Sequence, residues 1–231
     1  MSKTPRSPVT GPKRPRSTRN RPTDSELMDA ALAVIADVGA GRATMDMIAD
    51  RAGTSRVTLY AHFGSRDSLV DAVLDREMTT LTRWKLAAYD QGDEMTYGDH
   101  TRYSVEVLFE YARRNPEGFR VLLTNREEHR ESARQLSSAL EPRLAQRLRD
   151  AFAARGQTVA VGADVLASML IGMTLDVAHR AVIVAGASID AACDLAVSSA
   201  ISVLKTVDVV QLQAIDRSLT TDAAENHPSG T

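Results

Sequence analysis

Residues 54–70, TSRVTLYAHFGSRDSLV, gather hydroxyls at Thr54, Ser55, Thr58 and Tyr60 with Arg56, His62 and Arg66, while Leu59 and Phe63 stand four positions apart. On a helix that spacing puts both large apolar side chains on one face, which leaves Arg56, Val57, Thr58, Tyr60, Ala61 and His62 to the outer and flanking surfaces. Hydroxyls donate to phosphate oxygens, a guanidinium takes a guanine edge bidentately, and the methyl groups of Val57, Thr58 and Ala61 suit a thymine methyl. The chemistry on offer is recognition of a phosphate-lined groove rather than bond-making. Upstream Thr44 adds a hydroxyl, Arg66 is placed to clamp a flanking phosphate, and free amides at helix starts add donors. Each residue also has a plainer use: Thr44 and Ser55 as caps, His62 as a surface histidine, Arg66 as a solvated charge.

Such a surface needs helices to hold it, and from Thr23 onward the hydrophobic period is helical, with no convincing alternation of strand type. Leu27, Ala30, Ala31, Val34, Ile35 and Val38 mark a first helix that Asp24 or Ser25 can cap and that Gly39 and Gly41 stop. Thr44 opens a short second helix with Met45, Ile48, Ala49 and Ala52 on one face, and Gly53 turns the chain at its end. The third runs from Arg56 to about Phe63, capped by Ser55 and broken by Gly64. Ser65 caps a long fourth helix that reaches about Tyr89, with Asp67 favoured by its dipole. Two short helices joined at Gly53 and Thr54, with the first helix behind them, form a helix-turn-helix, and the third is its recognition helix.

Beyond a loop at 90–98, helices are expected at 99–114, 116–124, 128–155 with a break or kink at Pro142, 162–185 and 188–206. The predicted fold is all-α. It divides into a disordered basic arm at 1–22, a helix-turn-helix domain at 23–75, a helical effector-binding and dimerisation domain at 76–207, and a flexible tail at 208–231.

The chain of 231 residues is 43% hydrophobic and only 4% aromatic, so Leu, Val, Ala and Met must fill most of a helical interior. One cysteine, Cys193, excludes an internal disulfide framework and reads as packing in a reducing compartment. The run 162–186 is apolar but interrupted by Asp164, Asp176, His179 and Arg180, so neither a membrane span nor a secretory signal is expected, and the cytoplasm is the default location. The net charge of −2 hides an asymmetry: residues 1–23 carry +7 and no acid, leaving 21 bases against all 30 acids in the other 208 residues. Pro-rich and unable to bury apolar surface, that segment, with Arg14, Arg16, Arg19 and Arg21, reads either as a solubilising tail or as an arm lying along a polyanion.

Catalysis finds little support. Gly39 and Gly41 lie between helices and not after a strand, so they form no dinucleotide loop. The five histidines show no metal-ligand interval. Neither enzyme, metal site nor cofactor is expected.

Residues 27–74 closely resemble the N-terminal domain of TetR-family transcriptional regulators. Ala30-Ala31, Gly39, Thr44, Ile48-Ala49, Ala52-Gly53, Ser55, Thr58-Leu59-Tyr60, His62-Phe63 and Leu69 fall on the family pattern without a gap. The resemblance implies phosphate contacts from Thr44, Ser55, Tyr60, His62 and Arg66, the last standing where the family usually has lysine, and base reading by Arg56, Val57 and Thr58. Thr54 and Val57 depart from the usual residues, as do Ile35 and Ala40. Also implied are a homodimer through the last two long helices, a palindromic DNA operator, a small-molecule effector and, most often, repression. In 163–185, Leu166, Leu170, Met173 and Val177 fit such an interface, as do Ala192, Ala196, Ala200 and Leu204, although an intrachain core would produce the same stripes. Trp84, Tyr103, Phe109, Phe119, Met169 and Met173 are candidates to line an effector cavity, with Asp176, His179 or Arg180 orienting a polar group. The fourth helix, running from Arg66 to Trp84, is the expected lever between ligand and DNA. An architectural or cell-cycle DNA-binding protein of the same fold, without an effector, is the alternative.

Overall fold

The computed structural model describes residues 21–91, 95–124 and 126–225, with side chains described outside 125–133 and up to 218. Every element among them is helical. In order they are α1 (Asp24–Val38), α2 (Met45–Ala52), α3 (Arg56–Phe63), α4 (Arg66–Asp90), α5 (Tyr97–Arg114), α6 (Pro116–Leu123), α7 (Arg126–Ala153), α8 (Val161–Val177), α9 (Ile189–Thr206) and α10 (Val209–Glu225); α8 continues into a π-helical segment, Ala178–Val184.

Local signals explain most of the boundaries. Thr23, rather than Asp24 or Ser25, caps α1: its hydroxyl accepts from the Glu26 amide at 3.3 Å while the Glu26 carboxylate accepts from the Thr23 amide at 2.8 Å. This reciprocal pair satisfies two orphan donors and outcompetes either neighbour as a start. Thr44, Ser55 and Ser65 cap α2, α3 and α4 in the same one-sided way. Gly53, with φ of 62°, supplies the left-handed turn between α2 and α3 that a side-chain-bearing residue rarely adopts.

Two apolar cores result. Leu27, Ala31, Ile35, Ile48, Leu59 and Leu69 knit α1 to α4 together, and Val121 of α6 reaches into the same cluster. The larger core joins α4 to α10 around Leu108, Phe109, Tyr111, Leu122, Leu140 and Leu166. Because α4 lines both cores and α6 contacts α1, the expected division near residue 75 is a change of core within one continuous helix.

Residues from 208 on, expected as a flexible tail, instead form α10. Leu212 is buried on α8, and the Asp216 carboxylate accepts from the amides of Ala160 and Gly162, both at 2.9 Å, capping an α8 start that no local side chain caps. Pro142 lies inside a continuous α7 and does not break it. Leu166, Leu170, Ala192, Ala196 and Ala200, the stripes considered for a second subunit, turn into the intrachain core. Among the large apolar residues left exposed are Val161, Val165 and Met169, spaced by four along α8, Leu195 on α9, Val184 after α8 and Val210 on α10. The stretch Val161–Val184 is apolar and long enough to cross a membrane by composition, but half of its most apolar window is buried against the rest of the protein.

Candidate nucleic-acid interface

Leu59 is fully buried in the core that α3 shares with α2 and α4, and this turns the rest of the helix outward. Val57 is 78% exposed and Tyr60 49%, an unusual position for large apolar residues with no packing role inside the chain. Ser55 accepts from the Thr58 amide at 3.2 Å, and the two hydroxyls lie 3.0 Å apart, so a cap and a polar pair coincide at the start of α3. Thr44 likewise accepts from the Met47 amide at 3.3 Å and leaves Met47 on the surface. Thr54 sits half-buried in the turn, its amide bound to the Ala49 carbonyl at 3.0 Å.

Three polar side chains are held by partners that spacing alone does not announce. The exposed Arg56 guanidinium pairs with Asp46 of α2 at 3.0 Å, which steadies its aim without burying it. His62 is tied through Nδ1 to Asp24 at 2.5 Å, joining the end of α3 to the start of α1. Arg66 differs from a free phosphate clamp: its Nε donates to the Ala43 carbonyl at 2.9 Å and a terminal nitrogen to Asp67 at 2.6 Å, so it secures the residue preceding Thr44. Asp24 and Asp46 thus belong to the surface although only the fold brings them there. Of the arm residues, Arg21 is exposed and outside any helix, while Arg14, Arg16 and Arg19 lie outside the described residues.

The charge of this unit is informative. Residues 23–75 contain nine acids and four bases, a balance of −5, so attraction to a polyanion cannot come from the helices as a whole. The positive charge of this end of the chain lies instead in the segment before Asp24, which carries +7.

The sequence profile of the bacterial regulatory proteins of the tetR family matches residues 27–73, covering α1 to α3 and the first part of α4. The nucleoid occlusion factor SlmA of Salmonella paratyphi A is 30% identical over 159 residues, which cover 66% of this chain and 78% of SlmA. The chain belongs to the TetR family. The HTH-type transcriptional activator FasR of Mycolicibacterium smegmatis is 35% identical over 124 residues, 50% of this chain and 55% of FasR, so this chain spans little more than half of that relative. A TetR-like transcriptional regulator from Rhodococcus sp. RHA1 superposes with a TM-score of 0.60 at 26% identity, covering 84% of this chain and all of that one. A TetR-family DNA-binding regulator is therefore the general function of the chain.

The second half of this TetR-family fold does not gather the eight residues expected around an effector. Phe109 and Phe119 are buried in the main core, Met169 is on the surface, and Met173 is only partly buried at the core's edge. Asp176 pairs with Arg180 one turn on at 2.7 Å, and His179 Nδ1 donates to the Leu123 carbonyl at 2.6 Å. Trp84 and Tyr103 line an open groove of about 830 Å³ between α4, α5 and α9, where Arg114 stacks over Trp84 at 5.6 Å.

A separate internal cavity of about 40 Å³ lies among α4, α5, α7, α8 and α9. Lys85, Tyr89, His100 and Ser104 form its polar end, and leucines of α5, α7 and α8 most of its apolar wall. The Lys85 ammonium donates to the Ser104 carbonyl and to its hydroxyl, the latter at 3.3 Å, and lies 5.9 Å from the centre of the Tyr89 ring. Burial pushes its pKa down to about 8. Lys85 was missed although the sequence holds a signal: it continues the buried stripe Met78, Leu81, Ala88 of α4, where a cation has no ordinary reason to be.

Proposed function

We propose that this protein is a ligand-responsive transcriptional regulator, most readily a repressor, that acts in the cytoplasm and binds an inverted-repeat operator as a homodimer. The outward face of α3, where Val57 and Tyr60 stand exposed between two capped helix starts, carries this reading. On it Arg56, Val57 and Thr58 read bases, and Thr44, Thr54, Ser55, Tyr60 and His62 hold phosphates. Arg66 positions the start of α2, in line with its bond to the Ala43 carbonyl. The ridge Val161, Val165, Met169 of α8, with Leu195 of α9, supports a two-fold interface through these helices.

Helix α4 supports the ligand response. It starts beside α3 and passes Lys85 at the internal cavity, about 29 Å along the axis at 1.5 Å per residue. The cavity holds little more than a few waters, so any organic ligand entering it must push α4 away from its neighbours and alter the separation of the two recognition helices.

Selection of genomic fragments by the purified protein at about 150 mM salt, where nonspecific binding is weakened, tests the reading. One or a few inverted-repeat sites beside a small gene set are expected. Many dispersed sites with no link to promoters would favour the second reading, a chromosome-associated DNA binder, to which the similarity with SlmA over 78% of that protein's length lends specific support.

A further inference from the structure

Among the described residues, no carboxylate neutralises the charge inside the internal cavity. Lys85 is 6% exposed, its two hydrogen bonds go to the neutral Ser104, and among the described residues no carboxylate lies within ion-pair distance of it. Buried ammonium groups are ordinarily paired, because desolvation costs several kcal/mol that a neutral acceptor only partly offsets. Three described carboxylates on α4 and α5 are engaged elsewhere: Glu77 with Tyr111, Asn115 and Arg76, Asp90 with Arg143, and Asp99 with Thr96. The rest of the wall is mostly apolar, with Leu108, Leu140, Leu170 and Leu175. A cation at one end of an apolar, leucine-lined cavity is the complement of an apolar molecule ending in one anion.

We propose that the effector is an apolar monocarboxylic acid whose carboxylate takes the missing place beside Lys85, between Ser104 and Tyr89, with its hydrocarbon part among the leucines of α5, α7 and α8. This names the ligand class for the ligand response proposed above and rests on that reading for its consequence at DNA, though not for the binding itself. The carboxylate stabilises the protonated ammonium, so above pH 8, where the free protein's Lys85 is partly neutral, binding draws a proton from solution. Thr174, buried on α8, lines the same cavity with its hydroxyl returned to the Leu170 carbonyl, so it offers no free donor to a second anionic group.

The test is calorimetric titration of the full-length protein with octanoate, decanoate and dodecanoate against the alcohols of equal length, at pH 6.5 and 8.5 in two buffers of different ionisation enthalpy. At least one acid should bind roughly tenfold or more tighter than its alcohol, as a charge-assisted contact implies, with proton uptake at pH 8.5 and little at pH 6.5. Lys85→Met should remove the preference for acid over alcohol while keeping affinity for the alcohol. Equal affinity for acid and alcohol, no proton uptake at pH 8.5, or no binding of any acid in the series would overturn the assignment. Should the variant fail to fold, the wild-type proton balance decides alone. Operator binding measured in the presence of the tightest acid separates the two claims: acid binding with unchanged DNA affinity sustains the site and sinks ligand-controlled release.

Discussion

At the scale of single residues, the proposed function assigns the α3 surface both base readers and residues that hold them in place. Arg56 is held by Asp46 yet remains exposed, so its guanidinium is aimed before DNA arrives and little rotamer entropy is given up on binding. Arg56→Ala should relax preference at one operator position by roughly 1 to 3 kcal/mol and leave nonspecific binding nearly unchanged; competition titrations across single-base operator variants read this directly. A uniform loss on all sequences would make Arg56 a phosphate contact. Lys85 gives a second residue-level expectation, with its sign fixed by burial. Because desolvation lowers its folded value from 10.5 to about 8, the unfolded chain holds a proton between those limits that the folded chain lacks. Stability therefore rises with pH across that window, and the cost of the buried charge is present in full below pH 8. Measured against Lys85→Met in parallel denaturant titrations, which cancel the alkaline titration of other groups, the wild type should gain about 3 kcal/mol between pH 7 and pH 10.5. A constant difference would mean that burial does not lower the Lys85 pKa and that the ammonium keeps its proton in the folded protein as readily as in the unfolded chain.

At the scale of elements, the start of α6 is fastened to α4 by a buried polar knot. Glu77, 4% exposed, accepts from the Tyr111 hydroxyl at 2.9 Å and the Asn115 amide at 2.6 Å, while Arg76 bridges it to Asp29 of α1. Gly118 leaves room for this arrangement: a Cβ there would fall 2.4 Å from both the Asn115 amide nitrogen and the Glu77 carboxylate. Gly118→Ala should therefore expel Asn115 and destabilise the fold by about 1 to 3 kcal/mol, the cost of leaving a buried charged acceptor short of a donor; thermal unfolding checks it, and an unchanged Tm would mean that the knot gives way at no cost. How far the elements were legible follows from the range of the signals that make them. The bounds of α3 and the caps Thr44, Ser55 and Ser65 rest on contacts three residues long and were readable from sequence. Helix α10 was not, because its reason for existing is the docking of Leu212 and the capping by Asp216 of an amide 54 residues away. The cavity escaped for a related cause. Aromatic and methionine side chains suggest a pocket by type alone, whereas Phe109 and Phe119 fill core space and the polar end depends on Lys85 and Ser104 meeting across two helices.

At the scale of the whole molecule, two surfaces await partners of opposite character. The α8 ridge is apolar, and if it forms the proposed two-fold interface an acidic residue in it should disrupt that interface: Val165→Asp is expected to sediment as a monomer and to lose operator affinity by far more than half, since each half-site alone binds weakly. An intact dimer would move the interface elsewhere. The DNA-facing unit is electrostatically divided, because residues 23–75 carry −5 while residues 1–22 carry +7. Long-range attraction to DNA must then reside in the arm, and the helices contribute short-range fit against a mildly repulsive background. Removing residues 1–21 should weaken binding to operator and random DNA alike, with the ratio between them preserved. Each phosphate that the arm no longer neutralises lowers the slope of log K against log salt by about 0.9. If four of the seven basic groups touch the backbone, the slope falls by roughly 3 to 4 per subunit, and the truncated protein should bind with almost no salt dependence beyond that of its helix-start and Arg contacts. A slope unchanged by truncation would mean that the arm only keeps the chain soluble and that the helix starts overcome the −5 charge alone.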